Sequence, residues 1–239
     1  MVVDVPVASL AWFAGLASAL VLAALAAIST QPTLQALSRQ AARESEKGHH
    51  DEDPPDYRHL ATVRLSAAVG LTAATAGVLV VSGVPIPQWP LWVGLATVGV
   101  LLGWIDAATT WLPLTPTHVL WSTTGLGLVA ATLLTAATGD PDWWRVPAGG
   151  LIGALGYAGF LAAVWWVSRG QLGFGDVRLA LALGAATGAS SLATMFLAAL
   201  LGTAAAGIWA VIQLLRRRRD PFPYGPFLLA GAFLAPLLT

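Results

Sequence analysis

Polar residues are confined to a few short segments of this chain, and long apolar runs separate them. Six stretches contain no Asp, Glu, Lys or Arg: 5–38, 65–105, 107–139, 146–168, 179–215 and 221–239. A helix needs about 20 mostly apolar residues to cross a bilayer, so each stretch holds at least one crossing. Dividing them at Pro, Gly and Ser residues predicts eight helices, at about 7–29, 63–82, 90–106, 117–138, 147–168, 176–188, 191–214 and 226–238. The pattern predicts an all-α membrane protein, a polytopic bundle of about eight transmembrane helices.

Composition supports this prediction, because 56% of the residues are hydrophobic and only 10% are charged. A soluble domain carries about 25% charged residues, so the predicted surroundings are a lipid bilayer. The first apolar segment is predicted to be a retained helix, since no basic residue precedes it. The formal net charge is zero, which gives no indication of a nucleic-acid partner. The chain has no cysteine, which excludes disulfides, thiolate zinc sites and a cysteine nucleophile.

The basic residues predict the orientation of the bundle. With the N-terminus outside, eleven of the twelve Lys and Arg residues fall on the cytoplasmic side, and only Arg145 lies outside. The expected location is therefore the cytoplasmic membrane. Six tryptophans near predicted helix ends are expected at the level of the lipid headgroups: Trp89, Trp92, Trp143, Trp144, Trp165 and Trp166.

We expect two parts in the chain: residues 1–62, an N-terminal transmembrane helix with a polar cytoplasmic loop, and residues 63–239, a multi-helix membrane core. The loop, at about 30–62, is predicted to be partly disordered because it is poor in apolar residues and mixed in charge. Its His49, His50 and His59 lie near Asp51 and Asp53 without helical spacing, so no metal site is predicted. The run of arginines at 216–219 is predicted to anchor the chain at anionic headgroups.

At the predicted cytoplasmic boundary, the acidic residues that directly adjoin long apolar segments without an obvious partner are Asp106 and Asp176, since Asp220 neighbours the run of arginines. An ionisable group at the edge of the bilayer indicates a function, because its desolvation is expensive. The third predicted helix ends at Asp106 and the sixth begins at Asp176, so both carboxylates are expected at the cytoplasmic face. The glycines of Gly173-Phe174-Gly175 permit a tight turn and close backbone approach just before Asp176.

Two carboxylates that share one water cannot both ionise easily, so one keeps its proton while the other stays charged. The ionised group can then take a proton from the attacking water, and the protonated group can donate to the scissile carbonyl. Peptide hydrolysis by such a pair needs neither a metal nor another cofactor.

Three segments carry a resemblance to a known family. They are GWIDAATTWLP at 103–113, GFGDVRL at 173–179 and PFPYGPFL at 221–228. They resemble three motifs of the prepilin and preflagellin leader peptidases. The first resembles the family's catalytic segment, in which an Asp is followed by a Thr and then by Leu-Pro. The second resembles the signature Gly-x-Gly-Asp-Val-Lys-Leu, and the third resembles the region Pro-Phe-Gly-Pro-Phe-Leu. The likeness covers about 90–239 and departs from the motifs at Leu114, where many relatives have Asp or Asn, and at Arg178, where Lys is usual.

The resemblance implies an aspartic endopeptidase that cuts the short basic leader from type IV pilin-like precursors, with Asp106 and Asp176 as catalytic residues. It also implies supporting roles for six motif residues: Gly173, Gly175, Pro113, Arg178, Gly225 and Pro226. Many bacterial relatives carry two Cys-x-x-Cys pairs in the first cytoplasmic loop, in a zinc module linked to N-methylation. Because this chain has no cysteine, we expect peptidase activity without zinc and leave methyl transfer and the oligomeric state open.

Three other interpretations stay open at this point. A presenilin-type protease would cut within the bilayer, but the Leu-Pro after Asp106 and the absence of a Tyr before it favour the prepilin type. A proton- or cation-coupled transporter would need acidic residues along a path across the membrane. A structural protein of pilus assembly could retain inactive aspartates.

Overall fold

A computed structural model of the chain describes residues 7–46, 55, 57–169, 172–217 and 222–239. All regular secondary structure in these residues is helical. The α-helices are α1 (Val7–Glu46), α2 (Val63–Gly83), α3 (Trp89–Gly94), α4 (Val100–Thr109), α5 (Leu114–Ala137), α6 (Arg145–Val167), α7 (Phe174–Ser190), α8 (Leu192–Leu215) and α9 (Gly225–Leu234). A π-helical turn, Leu95–Gly99, joins α3 to α4, and short 3₁₀ turns lie at Arg58–Leu60, Ile86–Gln88 and Ala235–Leu237.

The predicted all-α, polytopic membrane fold is confirmed. Within the described ranges, six helical segments are long and apolar enough to cross a membrane: Gly15–Arg43, Val63–Gly83, Ile86–Thr109, Leu114–Ala137, Arg145–Val167 and Leu192–Leu215. The other two predicted helices are present as α7, with 17 residues, and α9, with 10. Both are shorter than the six segments that could cross a membrane. The chain is therefore a multi-pass membrane protein.

Helix α7 is short but lies in the interior of the bundle, where most of its residues are buried. Its most extensive contact is with α6. Gly149 and Gly153 of α6 meet Gly188 and Gly184 of α7 backbone to backbone, so closely that a Cβ atom at Gly153 would collide with the Gly184 carbonyl. This glycine interface fixes α7, and with it the start of the helix at Phe174, against the rest of the bundle.

Helix α1 continues far beyond the predicted end near residue 29 and reaches Glu46, so the prediction of a loop from residue 30 is wrong for its first part. The reason is that the buried face of the helix continues past residue 30, where Leu34 and Leu37 pack into the core. Thr30 and Ser38 are also buried there, and their hydroxyls donate to the carbonyls of the preceding turn, at Ala26 and Leu34. Residues 47–54, with His49, His50, Asp51 and Asp53, lie outside the described residues.

The prediction for Trp92 is also wrong. This side chain is 1% exposed, and its ring packs 5.8 Å from that of Phe233 inside the bundle instead of lying at the lipid headgroups. Trp143, Trp144 and Trp166, by contrast, are exposed, which agrees with their predicted place at helix ends. Of the arginine run at 216–219, only Arg216 and Arg217 belong to the described part of the chain.

Candidate active site

Asp106 lies in the last turn of α4. The helix ends just after it, where Thr110 adopts a left-handed conformation with φ of 54° and donates its N–H to the Asp106 carbonyl at 2.7 Å. The Asp106 side chain is only 4% exposed. A carboxylate buried to this degree must find a partner in the protein, because desolvation strongly disfavours an isolated charge.

The partner of Asp106 is the first residue of α9. Gly225 donates its backbone N–H to Asp106 Oδ2 at 2.9 Å, across 119 positions of sequence. A Cβ atom at Gly225 would lie 2.9 Å from the same oxygen, so a larger residue here would displace the carboxylate or the helix start. The carboxylate also meets the N-terminal end of a helix, where negative charge is favoured. Pro226 follows in the first turn of α9, where the missing N–H of proline has no effect on the helix.

Asp176 lies in the first turn of α7 and is 6% exposed. Its backbone N–H donates to the carbonyl of Gly173, the residue that precedes the helix, at 3.1 Å. Among the described residues its Oδ1 atom has no hydrogen-bond partner. An unpaired buried acceptor destabilises a fold by about 1–3 kcal/mol and suggests a functional role. Asp176 and Asp106 are close enough to interact electrostatically.

The glycines around Asp176 bring the first two motifs together. A Cβ atom at Gly175 would lie 2.7 Å from Leu112 Cβ, in the loop that follows Asp106. At Gly173 it would lie 3.3 Å from Asp176 Oδ2. Pro113, next to Leu112, is buried and caps α5, where its carbonyl accepts the hydroxyl of Thr117 at 2.8 Å. The loop after Asp106 therefore packs directly on the Gly-x-Gly-Asp turn.

Among the described residues, Arg178 contacts an aromatic ring and an indole rather than a carboxylate. Its guanidinium lies 4.9 Å from the centre of the Phe174 ring. Its backbone carbonyl accepts the indole N–H of Trp121 from α5 at 2.9 Å. Both contacts hold the beginning of α7 in place.

Tyr224 is a site residue that the sequence did not single out. It lies directly before Gly225, hydrogen-bonds through its side chain with Thr203 of α8, and interacts electrostatically with Asp176. Burial raises the pKa of its hydroxyl, so Tyr224 stays protonated at neutral pH. A signal was present, because the motif that the third segment resembles has Phe where this chain has Tyr.

The arrangement brings two buried carboxylates to one end of the bundle, on α4 and α7, with the start of α9 as a third wall. In the part of the chain that the structure describes, no group of three His, Cys, Asp or Glu residues is placed to hold a metal ion. The two carboxyl groups can each take up or release a proton.

Comparison with known proteins gives relatives of one kind. The chain is 35% identical over 88 residues to a prepilin leader peptidase/N-methyltransferase of Bacillus subtilis, a match that covers 37% of this chain and 36% of the relative. It is 38% identical over 86 residues to proteins of the same name from two strains of Burkholderia pseudomallei, covering 34% of this chain and 28% of the relatives. The matches thus span about a third of the length of these relatives. No protein-family model and no solved structure matches the chain. The resemblance indicated by the three motifs is therefore confirmed, and the chain is similar to the prepilin leader peptidases.

Proposed function

We propose that this protein is a membrane-embedded aspartic endopeptidase that removes the short basic leader from pilin-like precursors at the cytoplasmic face of the membrane. The observation that carries the proposal is the hydrogen bond of 2.9 Å from the Gly225 N–H to Asp106. It joins the third motif to the first, while the contact of Gly175 with Leu112 joins the second to the first. Three segments far apart in sequence thus meet around two buried carboxylates.

The reaction follows from the chemistry of a carboxyl pair. At close range the two groups share one proton, because two neighbouring negative charges in a dry site repel each other. The ionised carboxylate takes a proton from a water molecule as the water oxygen bonds to the scissile carbonyl carbon. The protonated carboxyl donates to the carbonyl oxygen. The tetrahedral intermediate then collapses, the C–N bond breaks, and a proton passes to the leaving nitrogen. The proton belongs to the pair, so acid and base are not assigned to individual residues.

The predicted orientation places this chemistry at the cytoplasmic end of the bundle. The basic residues favour a cytoplasmic position for the end of α4 and the start of α7. A precursor with an apolar helix in the membrane and a basic leader in the cytoplasm would present the junction between the two at that depth. The names of the relatives, prepilin leader peptidase/N-methyltransferase, support such a substrate.

The decisive experiment is cleavage of a co-expressed pilin precursor, followed by the mass of the product. We expect the wild-type chain to cleave, and Asp106→Asn and Asp176→Asn to lose activity by at least about 100-fold, the usual contribution of acid–base catalysis. Asp140→Asn is the matched control, because Asp140 is exposed in the segment between α5 and α6. All variants are compared at equal membrane insertion. Cleavage by either Asp106→Asn or Asp176→Asn at the wild-type rate would contradict the mechanism.

The same experiment separates the leader peptidase from each of the other interpretations. A presenilin-type protease would release a product cut within its apolar helix, whereas a leader peptidase cuts at the helix boundary. A transporter would leave the precursor intact, and the position of both buried aspartates at one end of the bundle disfavours a path across it. A protein with inactive aspartates would also leave the precursor intact. The product mass further reports any added methyl group, the second activity in the name of the relatives.

A further inference from the structure

An open groove of about 580 Å³ lies between α2, α4 and α9. Its walls are formed by Leu71 and Thr75 of α2, Gly103 and Ala107 of α4, and Pro226 and Ala230 of α9, together with neighbouring residues of the same helices. None of the described residues that line it is acidic or basic. The volume lies in the range of pockets that bind ligands in proteins.

The few polar groups in the groove are already satisfied by the protein. The hydroxyls of Thr72 and Thr75 donate to the carbonyls of Ala68 and Leu71, at 2.8 and 3.0 Å. The indole N–H of Trp104 donates to Thr72 Oγ1 at 3.2 Å and links α4 to α2. A polar ligand would find no free donor among these groups and would lose its hydration on entry. The chemistry of the groove therefore selects an apolar occupant.

One end of the groove is lined by chain neighbours of the candidate active-site residues. Gly103 and Ala107 lie on either side of Asp106 in α4, and Pro226 follows Gly225, the residue that donates to Asp106. From there the groove extends along α9 to Leu234. At 1.5 Å per residue this is a length of about 12 Å, or roughly two turns of a helix. One end of the groove thus adjoins the carboxylates while the rest runs parallel to the membrane-crossing helices.

We propose that this groove docks the apolar helix of the substrate precursor and so sets the position of the cut. The proposal rests on the proposed function. Two exposed small residues, Ala107 and Ala230, form part of the walls and allow a partner helix to approach closely. The rim carries exposed apolar side chains, with Leu71 72% and Leu234 44% exposed. A helix seated there has one end beside Gly103 and Ala107, near Asp106 in α4, and the leader begins at that end.

The absence of cysteine from the chain makes a direct test possible. Single cysteines are introduced as Leu71→Cys or Ala230→Cys in a chain that also carries Asp106→Asn, so that bound precursor stays intact. The precursor carries one cysteine at successive positions of its apolar helix, and disulfide cross-links are induced in membranes. Matched controls are Leu126→Cys on α5 and Leu155→Cys on α6, whose wild-type side chains are 73% and 72% exposed.

The proposal predicts cross-links from the two groove positions that recur every three to four residues of the precursor helix, and background levels from the controls. Equal cross-linking at groove and control positions would show that the groove holds only lipid and would overturn the proposal. Cross-links between two copies of this chain that persist when precursor is present would assign the groove to a second copy, which also overturns it.

A kinetic experiment separates failure of this proposal from failure of the proposed function. Ala230→Phe narrows the groove without touching either aspartate, so KM is expected to rise roughly tenfold with little change in kcat, a loss of about 1.4 kcal/mol of binding. Leu155→Phe is the control. If wild type cleaves and Ala230→Phe has an unchanged KM, docking in the groove is wrong while the peptidase stands. If wild type cleaves no precursor, the proposed function itself fails, whatever the cross-links show.

Discussion

Two pairs of aspartates occupy very different surroundings in this protein. Asp140 and Asp142, between α5 and α6, lie in an exposed segment, where Asp140 accepts the Asp142 N–H at 2.9 Å and Asp142 pairs with Arg145 at 3.2 Å. Asp106 and Asp176 are 4% and 6% exposed, and within the described residues one group, the Gly225 backbone N–H, donates to their four carboxyl oxygens. Water and local partners stabilise the first pair, so its position needs no functional explanation. The second pair is held in the bundle at a free-energy cost that the fold alone does not explain.

The residues around the two pairs differ as well. Three glycines surround the buried pair, and at each of them a Cβ atom would come within 3.3 Å of a carboxyl oxygen or of Leu112. Around the exposed pair the chain makes an ordinary turn. Gly139 has a φ of 78° there, and nothing among the described residues lies within 4 Å of a Cβ atom built on it. At the buried pair, glycine allows neighbouring atoms to approach the backbone closely. In the exposed turn, glycine allows the backbone to adopt a positive φ.

The largest effect short of removing an aspartate is expected from Gly225→Ala. The new methyl group would lie 2.9 Å from Asp106 Oδ2, so the carboxylate or the start of α9 must move. A displacement of about 1 Å at a catalytic group lowers activity by roughly 100-fold. Gly207→Ala on α8 is the control, since nothing lies within 4 Å of a Cβ atom there. Precursor cleavage at matched insertion measures both, and a rate for Gly225→Ala within twofold of wild type would show that the contact does not position Asp106.

A smaller effect is expected from Tyr224→Phe, which removes the hydroxyl that bonds to Thr203 near Asp176. One hydrogen bond contributes about 0.5–1.5 kcal/mol, so cleavage should fall roughly twofold to tenfold. Thr203→Val removes the partner of the same bond. If the bond positions Tyr224 for the reaction, the double variant is no slower than the slower single variant. If the fold-loss in cleavage rate of the double variant equals the product of the two single fold-losses, the two side chains act independently.

The sequence predicted the helices and the two aspartates because both depend on local pattern. Each crossing is a continuous apolar run, and each motif is a short segment whose resemblance can be recognised without a fold. The contacts between motifs could not be predicted in this way. Nothing within the segment 221–228 shows that the N–H of Gly225 turns towards a carboxylate 119 residues earlier.

The errors have a common physical cause, which is burial against distant elements. The segment after residue 30 is polar on average, but Leu34 and Leu37 share a face that the core covers, and this packing keeps α1 helical to Glu46. A tryptophan can lie at a membrane interface or in a core, and the contact of Trp92 with Phe233 places it in the core. In both cases the deciding contact lies on another part of the chain.

The smallest effect is expected from Asp142→Asn, and it completes the comparison of the two pairs. The side chains of Asp142 and Arg145 are 49% and 67% exposed, so their ion pair should contribute no more than about 0.5 kcal/mol to folding and should weaken in high salt. Thermal unfolding in detergent is therefore expected to show no measurable change, and cleavage should remain at the wild-type level.

Asp106→Asn should lose activity without losing stability. An amide oxygen can still accept the Gly225 N–H, and a buried charge is removed, so the free energy of unfolding is maintained or increased. A marked loss of stability in Asp106→Asn would instead show that this carboxylate stabilises the bundle. The fold should tolerate the loss of a carboxylate whose role is catalytic.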